Sequence, residues 1–280
     1  MDMLSSVLSA VLAVTGVGIV GAVILVIASK FLAVQEDPRI GQVQECLPGA
    51  NCGACGYAGC ADYAKAIVES DAPLNKCIPG GQKAADAAAA VMGKDAGSAG
   101  PARKAVVACQ GSADRRGFKY RYEGIHSCAA VNMLYSGPTD CRFGCLGYGD
   151  CTSVCKFDAI RVEDGVARVD PDKCTGCGMC ANICPDKIIH IVPETDAPMV
   201  FCANRDRGAV TRKNCSIGCI GCSKCVRTCP VGAITMENNL AYIDMEKCIH
   251  CHACVAACPV NAINLPKHSA GYQPVKKEAE

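Results

Sequence analysis

The sequence predicts an α+β chain in three parts: an N-terminal transmembrane helix, a small four-cysteine module, and two tandem copies of a cysteine-rich repeat. Three observations predict it. Val7 to Ala28 is an apolar stretch without a charge. The chain carries 25 cysteines among 280 residues, most of them in runs spaced by two or three residues. Its second half also repeats itself at a shift of 74 residues. An odd number of cysteines at such short spacings suits thiolates converging on metal centres better than disulfides between distant segments. Aromatic residues make up only 5% of the chain, so the core must draw cohesion from elsewhere, and metal ligation can supply it. A net charge of +1 argues against a nucleic-acid partner.

The membrane anchor occupies residues 1–30. At about 1.5 Å per residue its apolar stretch makes a helix of roughly 33 Å, enough to cross a hydrocarbon core of about 30 Å. A cleaved signal peptide is the alternative, but the stretch is long for one and Asp2 precedes it without Lys or Arg. Lys30 and Arg39 follow the helix, and the positive-inside bias then places the remainder in the cytoplasm. Free thiols belong in such a reducing compartment. Gly18 and Ala22 form a small-xxx-small pair, a weak motif for helix contact.

Residues 31–82 form the four-cysteine module, with a helix expected over Asp62–Glu69. Residues 83–104 read as a helix over Lys83–Met92 and a glycine-bearing linker. The two repeats occupy 105–192 and 193–266, and 267–280 is a polar tail. The 74-residue shift carries Cys128, Cys141, Cys145, Cys151 and Cys155 onto Cys202, Cys215, Cys219, Cys225 and Cys229. It carries Cys174, Cys177, Cys180 and Cys184 onto Cys248, Cys251, Cys254 and Cys258. Between the cysteine loops a hairpin is expected in each copy: Ile160–Val162 with Val166–Val169, and Ile234–Met236 with Leu240–Ile243.

Cys174-x2-Cys177-x2-Cys180-x3-Cys184-Pro185 is the run that binds [4Fe–4S] clusters in bacterial ferredoxins, and it recurs from Cys219 to Pro230 and from Cys248 to Pro259. Three thiolates at this spacing wrap one face of a cubane while the fourth serves the other cluster of a pair. The predicted sets are Cys219, Cys222, Cys225 with Cys258; Cys229 with Cys248, Cys251, Cys254; and Cys155 with Cys174, Cys177, Cys180. The first run of the first copy departs from this pattern. Tyr148 stands where the second copy has Cys222, and Lys156 replaces the proline. Cys141 is therefore expected to join Cys145, Cys151 and Cys184, leaving Cys215 spare.

In the N-terminal module, Cys52-x2-Cys55-x4-Cys60-x16-Cys77 reads as a further [4Fe–4S] site, with structural zinc as the alternative. The ligand sets give about five [4Fe–4S] clusters. Cys46, Cys109, Cys128 and Cys202 fit no such spacing and are expected to pack as small hydrophobes. His250 and His252 flank Cys251, where they either tune a cluster or belong to a solvated loop. Arg115, Arg116, Lys119 and Arg121 precede the first cysteine run, and Arg205, Arg207, Arg212 and Lys213 the second. These are either ordinary solvated faces or docking patches for an acidic carrier. There is no GxGxxG after a strand and no P-loop, so the chain has no catalytic site of its own.

Taken in order, the apolar helix, the Cys-Gly-Ala-Cys-Gly-Tyr-Ala-Gly-Cys segment ending at Cys60 with its distant Cys77, and the ferredoxin runs resemble the B component of the Rnf complex. That complex is a membrane ferredoxin:NAD+ oxidoreductase that pumps Na+ or H+ (called Rsx in some bacteria). The resemblance covers essentially the whole chain. Two ferredoxin pairs in place of one make it similar to the longer form of clostridial and acetogenic bacteria. It implies two tandem bacterial-type dicluster ferredoxin domains and a cell-membrane location with the clusters on the cytoplasmic side. It also implies soluble ferredoxin as donor or acceptor, and partner subunits that bind flavin and NAD. The rival readings are a membrane polyferredoxin serving a hydrogenase or another reductase, and a non-redox metal-binding protein.

Overall fold

The computed structural model describes residues 2–31 and 37–266; the polar tail 267–280, with His268, lies outside them. Helix α1 (Asp2–Phe31) contains the predicted apolar stretch. Within it, Val11–Ser29 has a mean hydropathy of 2.8 and buries nothing against the rest of the chain. The Thr15 hydroxyl donates to the carbonyl of Val11 at 2.7 Å, so its polar group is satisfied inside the helix, as a lipid environment requires. Among the described residues α1 is the one helix long and apolar enough to cross a membrane.

The four-cysteine module is a small helical body. Asp37 caps α2 (Pro38–Cys46) by accepting from the backbone N–H of Arg39 at 2.9 Å, and Pro38 sits in the first turn, where its missing N–H costs nothing. Helix α3 (Cys60–Ser70) buries Tyr63, Ala64 and Ile67, and α4 (Gly81–Met92) buries Ala84, Ala85, Ala88 and Ala89. Those alanines let α4 lie close against α2 and the 3-10 turn Leu74–Lys76. Tyr63 ties the module together: its hydroxyl donates to Pro73 O at 2.6 Å and accepts from Lys76 N at 3.1 Å. Burial pushes that phenol up to about 12.

Each repeat contains two antiparallel ribbons. The predicted hairpins form as β2 (Ile160–Glu163) with β3 (Val166–Val169), and β6 (Ile234–Glu237) with β7 (Leu240–Ile243), together with their expected turns. A second ribbon closes each copy from its ends. In the first copy β1 (Arg103–Val107) pairs with β4 (Ile189–Pro193), placing Val107 opposite Ile189. In the second, β5 (Met199–Val200) pairs with β8 (Ile263–Asn264), placing Val200 opposite Ile263. Short helices carry the cysteine runs: α5 (Cys128–Asn132), α6 (Asp150–Ser153) and α7 (Met179–Ile183), then α9 (Lys224–Thr228) and α10 (Ala253–Ala257). Helix α8 (Gly208–Asn214) leads into the second run.

This second ribbon corrects the repeat alignment. Ala108 N donates to Ile188 O, and Phe201 N donates to Ala262 O, both at 2.8 Å. The strand that opens each copy therefore corresponds at a shift of 93 residues, while the rest follows the shift of 74. The counterpart of Cys202 is Cys109, not Cys128. Cys128 stands in an extra segment that only the first copy carries.

The two copies pack on each other through Val106 and Val192 of the first and Met199, Phe201 and Met245 of the second. They are also laced by backbone. Ser216 N donates to Arg115 O at 2.9 Å, and Gly117 N donates to Asn214 O at 3.2 Å.

Two equivalent glycines test how tightly the runs fold. Gly147 has φ +82 and its missing Cβ would lie 2.4 Å from Gly165 O; Gly221 has φ +66 with 3.0 Å to Asn239 O. Both positions strain an L side chain, by roughly 1–2 kcal/mol for the conformation alone, but only the first adds a hard backbone clash. We expect Gly147→Ala to lower the temperature of cluster loss, followed by visible absorbance, clearly more than Gly221→Ala. Equal shifts would mean that the clash is relieved by movement.

Candidate metal centres

Four groups of cysteines stand around cavities of nearly equal size. Cys52, Cys55, Cys60 and Cys77 line one of about 300 Å³. Cys229, Cys248, Cys251 and Cys254 line another of about 300 Å³. Cys219, Cys222, Cys225 and Cys258 line one of about 320 Å³. The fourth, of about 350 Å³, is lined by Cys145, Cys151 and Cys184 together with Cys128. A fifth group matches the second position for position: Cys180 lies in the field of Cys174, Cys177 and Cys155.

Cys128 in the fourth group corrects the expectation that Cys141 completes it. Cys141 lies elsewhere, beside Cys109 and Cys215. The physical reason is the extra segment of the first copy. Helix α5, which begins at Cys128, is held against α6 by Asp150, whose carboxylate accepts from Ser127 Oγ and Ala129 N, each at 3.0 Å. That anchoring brings Cys128 to the space left by Tyr148. Tyr148 itself packs edge-on against Tyr122, with ring centroids 5.6 Å apart. In sequence Cys128 reads as a packing thiol because its spacing belongs to no run.

The walls of these groups offer N–H donors to sulfur. Ala105 N donates to Cys174 Sγ at 3.3 Å, Ala159 N to Cys155 Sγ at 3.4 Å, and Ala167 N to Cys145 Sγ at 3.4 Å. In the second copy Ala233 N donates to Cys229 Sγ and Ala262 N to Cys258 Sγ, both at 3.3 Å. Such bonds stabilise thiolate ligands and tune an iron–sulfur centre. Thr175, between Cys174 and Cys177, has a buried hydroxyl without a protein partner. Cys46 stands apart from these groups: its thiol donates to Gln42 O at 3.3 Å, one helical turn back.

Burial sets the electrostatics. It raises the Cys151 thiol to about 12, with Cys145 and Cys128 adding to the shift. Burial likewise takes Cys180 to about 12, and Cys225 and Cys254 to about 11. Cys52 and Cys77 move upward for the same reason. Four such thiols cannot all lose their protons unless a cationic centre replaces the protons. A single zinc ion would need sulfurs about 2.3 Å from one point. Among the described residues no three His, Cys, Asp or Glu side chains are arranged to hold a single ion. Four cysteines around one cavity, three from a Cys-x2-Cys-x2-Cys run and one remote, fit a cubane instead. His252 lines the second cavity, with its Nε2 3.1 Å from Asp196 O.

Three stretches of the chain match iron–sulfur families. Residues 47–79 match the Fe-S cluster family, 167–190 a 4Fe-4S binding domain, and 218–262 a 4Fe-4S dicluster domain. The irregular run from Cys141 to Cys155 lies outside all three. Over 245 residues, 86% of this chain and 73% of the relative, it is 44% identical to the B component of the Na(+)-translocating ferredoxin:NAD(+) oxidoreductase complex of Acetobacterium woodii. It is 40% identical to the B component of the ion-translocating oxidoreductase complex of Methanosarcina acetivorans, over 88% of this chain and 93% of that one. It is 38% identical to the B component of the proton-translocating ferredoxin:NAD(+) oxidoreductase complex of Clostridium ljungdahlii, over 86% and 85%. With its apolar helix, its four-cysteine module and its 4Fe-4S domains, and with this likeness running along most of each relative's length, the chain belongs to the family of B components of ion-translocating oxidoreductase (Rnf) complexes.

Proposed function

We propose that this chain is the electron-transfer subunit of an ion-translocating ferredoxin:NAD+ oxidoreductase, with [4Fe–4S] clusters at the five cysteine groups described above. When bound, such a cluster exchanges one electron at a time. The observation that carries the reading is the contiguity of the groups. The thiol of Cys52 feels Cys177, that of Cys151 feels Cys180, and that of Cys254 feels Cys225. Cys52 of the N-terminal module thus lies within electrostatic reach of Cys177 in the first repeat, and within each repeat the two groups are neighbours. The protein supplies ligands, N–H donors to sulfur, and an apolar surround that keeps water from the buried groups.

The partners follow from the family. Soluble ferredoxin is the electron donor or acceptor, flavin- and NAD-binding subunits lie beyond, and the repeats face the cytoplasm. The Val11–Ser29 span has no acidic residue, so the ion path belongs to other subunits. Arg205, Arg207, Arg212 and Lys213 are exposed beside the second repeat and suit an acidic carrier. Arg116 is buried and drops out of the corresponding group in the first repeat.

The test uses the full chain in membranes. Reduction by ferredoxin should slow several-fold as ionic strength rises from about 0.05 M to 0.5 M, where the screening length becomes short. Changing those four cations to Gln should slow it at low salt. A rate indifferent to salt would remove the docking surface. Purification without flavin-bearing membrane subunits would remove the complex in favour of a free-standing polyferredoxin.

A further inference from the structure

In the two repeats, the residues that follow Cys145, Cys174, Cys219 and Cys248 stand at equivalent places. Leu146 maps onto Ile220 at the 74-residue shift, and Thr175 onto Ile249. Leu146, Ile220 and Ile249 each line the cavity of their own cysteine group. Three of the four equivalent positions thus set an aliphatic side chain beside the sulfurs. Thr175 is the exception. Its hydroxyl is buried and meets no hydrogen-bond partner among the described residues. We propose that this hydroxyl donates to a sulfur of the [4Fe–4S] centre at Cys155, Cys174, Cys177 and Cys180, and so makes that centre easier to reduce than an aliphatic residue would.

The local fold explains the burial. Strand β1 lies across the loop that carries Thr175. Gly176 has φ +70, and its missing Cβ would lie 2.4 Å from Arg103 O. Lys104 Nζ donates to Cys174 O at 2.9 Å, and Ala105 N donates to Cys174 Sγ at 3.3 Å. A polar group between Cys174 and Cys177 is therefore cut off from water. Desolvated hydroxyls are costly when unpaired and are found with partners. The threonine hydroxyl has one proton to give. No carbonyl among the described residues takes it, which leaves the sulfurs of the centre itself. The matching loop of the second repeat is open, with Ile249 60% exposed, and an aliphatic side chain there has no such need.

A donor to sulfur stabilises the more negative, reduced cluster, so the hydroxyl raises the potential. Place gives this a use. Cys177 is the cysteine of the first repeat that the thiol of Cys52 feels. A raised potential there favours residence of the electron where module and repeat come within reach of each other. The inference rests on the five-group reading, and its test separates the two.

The test is an anaerobic potentiometric titration of the full-length chain in detergent, read by electron paramagnetic resonance, with iron measured on every sample. Thr175→Val keeps the shape and removes the proton. We expect it to hold its iron while one centre becomes harder to reduce: at a fixed potential its ratio of reduced to oxidised falls about tenfold, or about 59 mV for one electron. Thr175→Ser keeps a donor and should titrate with the wild type. Electron–nuclear double resonance in light and heavy water should show an exchangeable proton coupled to that centre in the wild type and in Thr175→Ser, and none in Thr175→Val. If Thr175→Val sheds the centre, Thr175→Ala against Thr175→Ser makes the same comparison. Full iron with unmoved potentials in Thr175→Val would overturn the hydrogen bond and leave the five groups standing. Thr175→Ser titrating with Thr175→Val would assign the effect to packing and overturn it too. Iron content unchanged by Cys177→Ala would remove the centre itself, and the five-group reading with it.

Discussion

Cys128→Ala loses one cluster, or converts it to a three-iron form, and adding Tyr148→Cys to that variant restores it. Cys128 lines the same cavity as Cys145, Cys151 and Cys184, and on the proposed reading it stands in for the sulfur that the first run lacks. Its removal leaves three ligands and should lower iron content by about one to four atoms per chain. The rescue follows from backbone geometry. Residues 147 and 149 are left-handed at φ +82 and +83, and their counterparts Gly221 and Ser223 are left-handed at φ +66 and +55. A cysteine at 148 is therefore carried by the same turn that presents Cys222 to its cavity. The phenol of Tyr148 packs on Tyr122 and His126, so the replacement costs some side-chain contact but no buried hydrogen bond. Electron paramagnetic resonance of the reduced proteins distinguishes the outcomes. A wild-type spectrum in Cys128→Ala would return the ligand to another cysteine; a three-iron signal that persists in the double variant would show that the two turns differ.

Arg116→Leu should lower the reduction potential of the centre beside it and loosen the seam between the repeats. The Arg116 guanidinium donates to the carbonyl of Cys145, and to Gly165 O at 2.8 Å. Burial raises the thiols of Cys145 and Cys215, and Arg116 works against that rise at both. A fixed positive charge favours the more negative, reduced cluster. Taking about 2 kcal/mol for its loss, half the value for charges 4 Å apart at an effective dielectric near 20, a one-electron couple falls by about 90 mV. Two carbonyls also lose charged donors, at about 1.5–3 kcal/mol each. Arg116→Lys keeps the charge without the forked geometry, so it should retain most of the potential while sharing the loss of stability. A potentiometric titration in which Leu and Lys variants match would assign Arg116 a purely structural role.

Much of this architecture is legible in the sequence because it is local. The two hairpins carry their own turns, and the Cys-x2-Cys-x2-Cys runs announce their clusters by spacing alone. The β1–β4 and β5–β8 ribbons are not legible, because each joins strands from opposite ends of a repeat with no turn between them. The ligand assignment suffers from their invisibility. Without the ribbons, a gapless shift matches Cys128 to Cys202, makes Cys109 an orphan, and leaves Cys141 as the nearest thiol to the gap at Tyr148. The extra segment around α5 interrupts the repeat without disturbing the cysteine runs, so nothing in their spacing betrays it. Helix α2 escapes a sequence reading for a simpler reason. It is short, with only Ile40 and Val43 buried, and such a weak apolar stripe is hard to see in sequence.

The lacing of the two repeats bears on how the protein matures. Cys52 to Cys77 encloses a short stretch of chain, and the ferredoxin groups each close within one repeat. The cavity lined by Cys109, Cys141, Cys202 and Cys215 closes only when both repeats are folded and docked. Closing a longer loop costs more chain entropy, and here two prefolded bodies must also meet. Iron delivered to the nascent chain would therefore fill the local groups first, and any centre held by these four cysteines last. Such a centre would act as a cross-link between segments separated by more than a hundred residues, fixing the seam as a buried disulfide would in an oxidising compartment. Apoprotein missing only that centre would be two folded halves on a hinge, an intermediate that limited proteolysis between residues 193 and 198 should reveal.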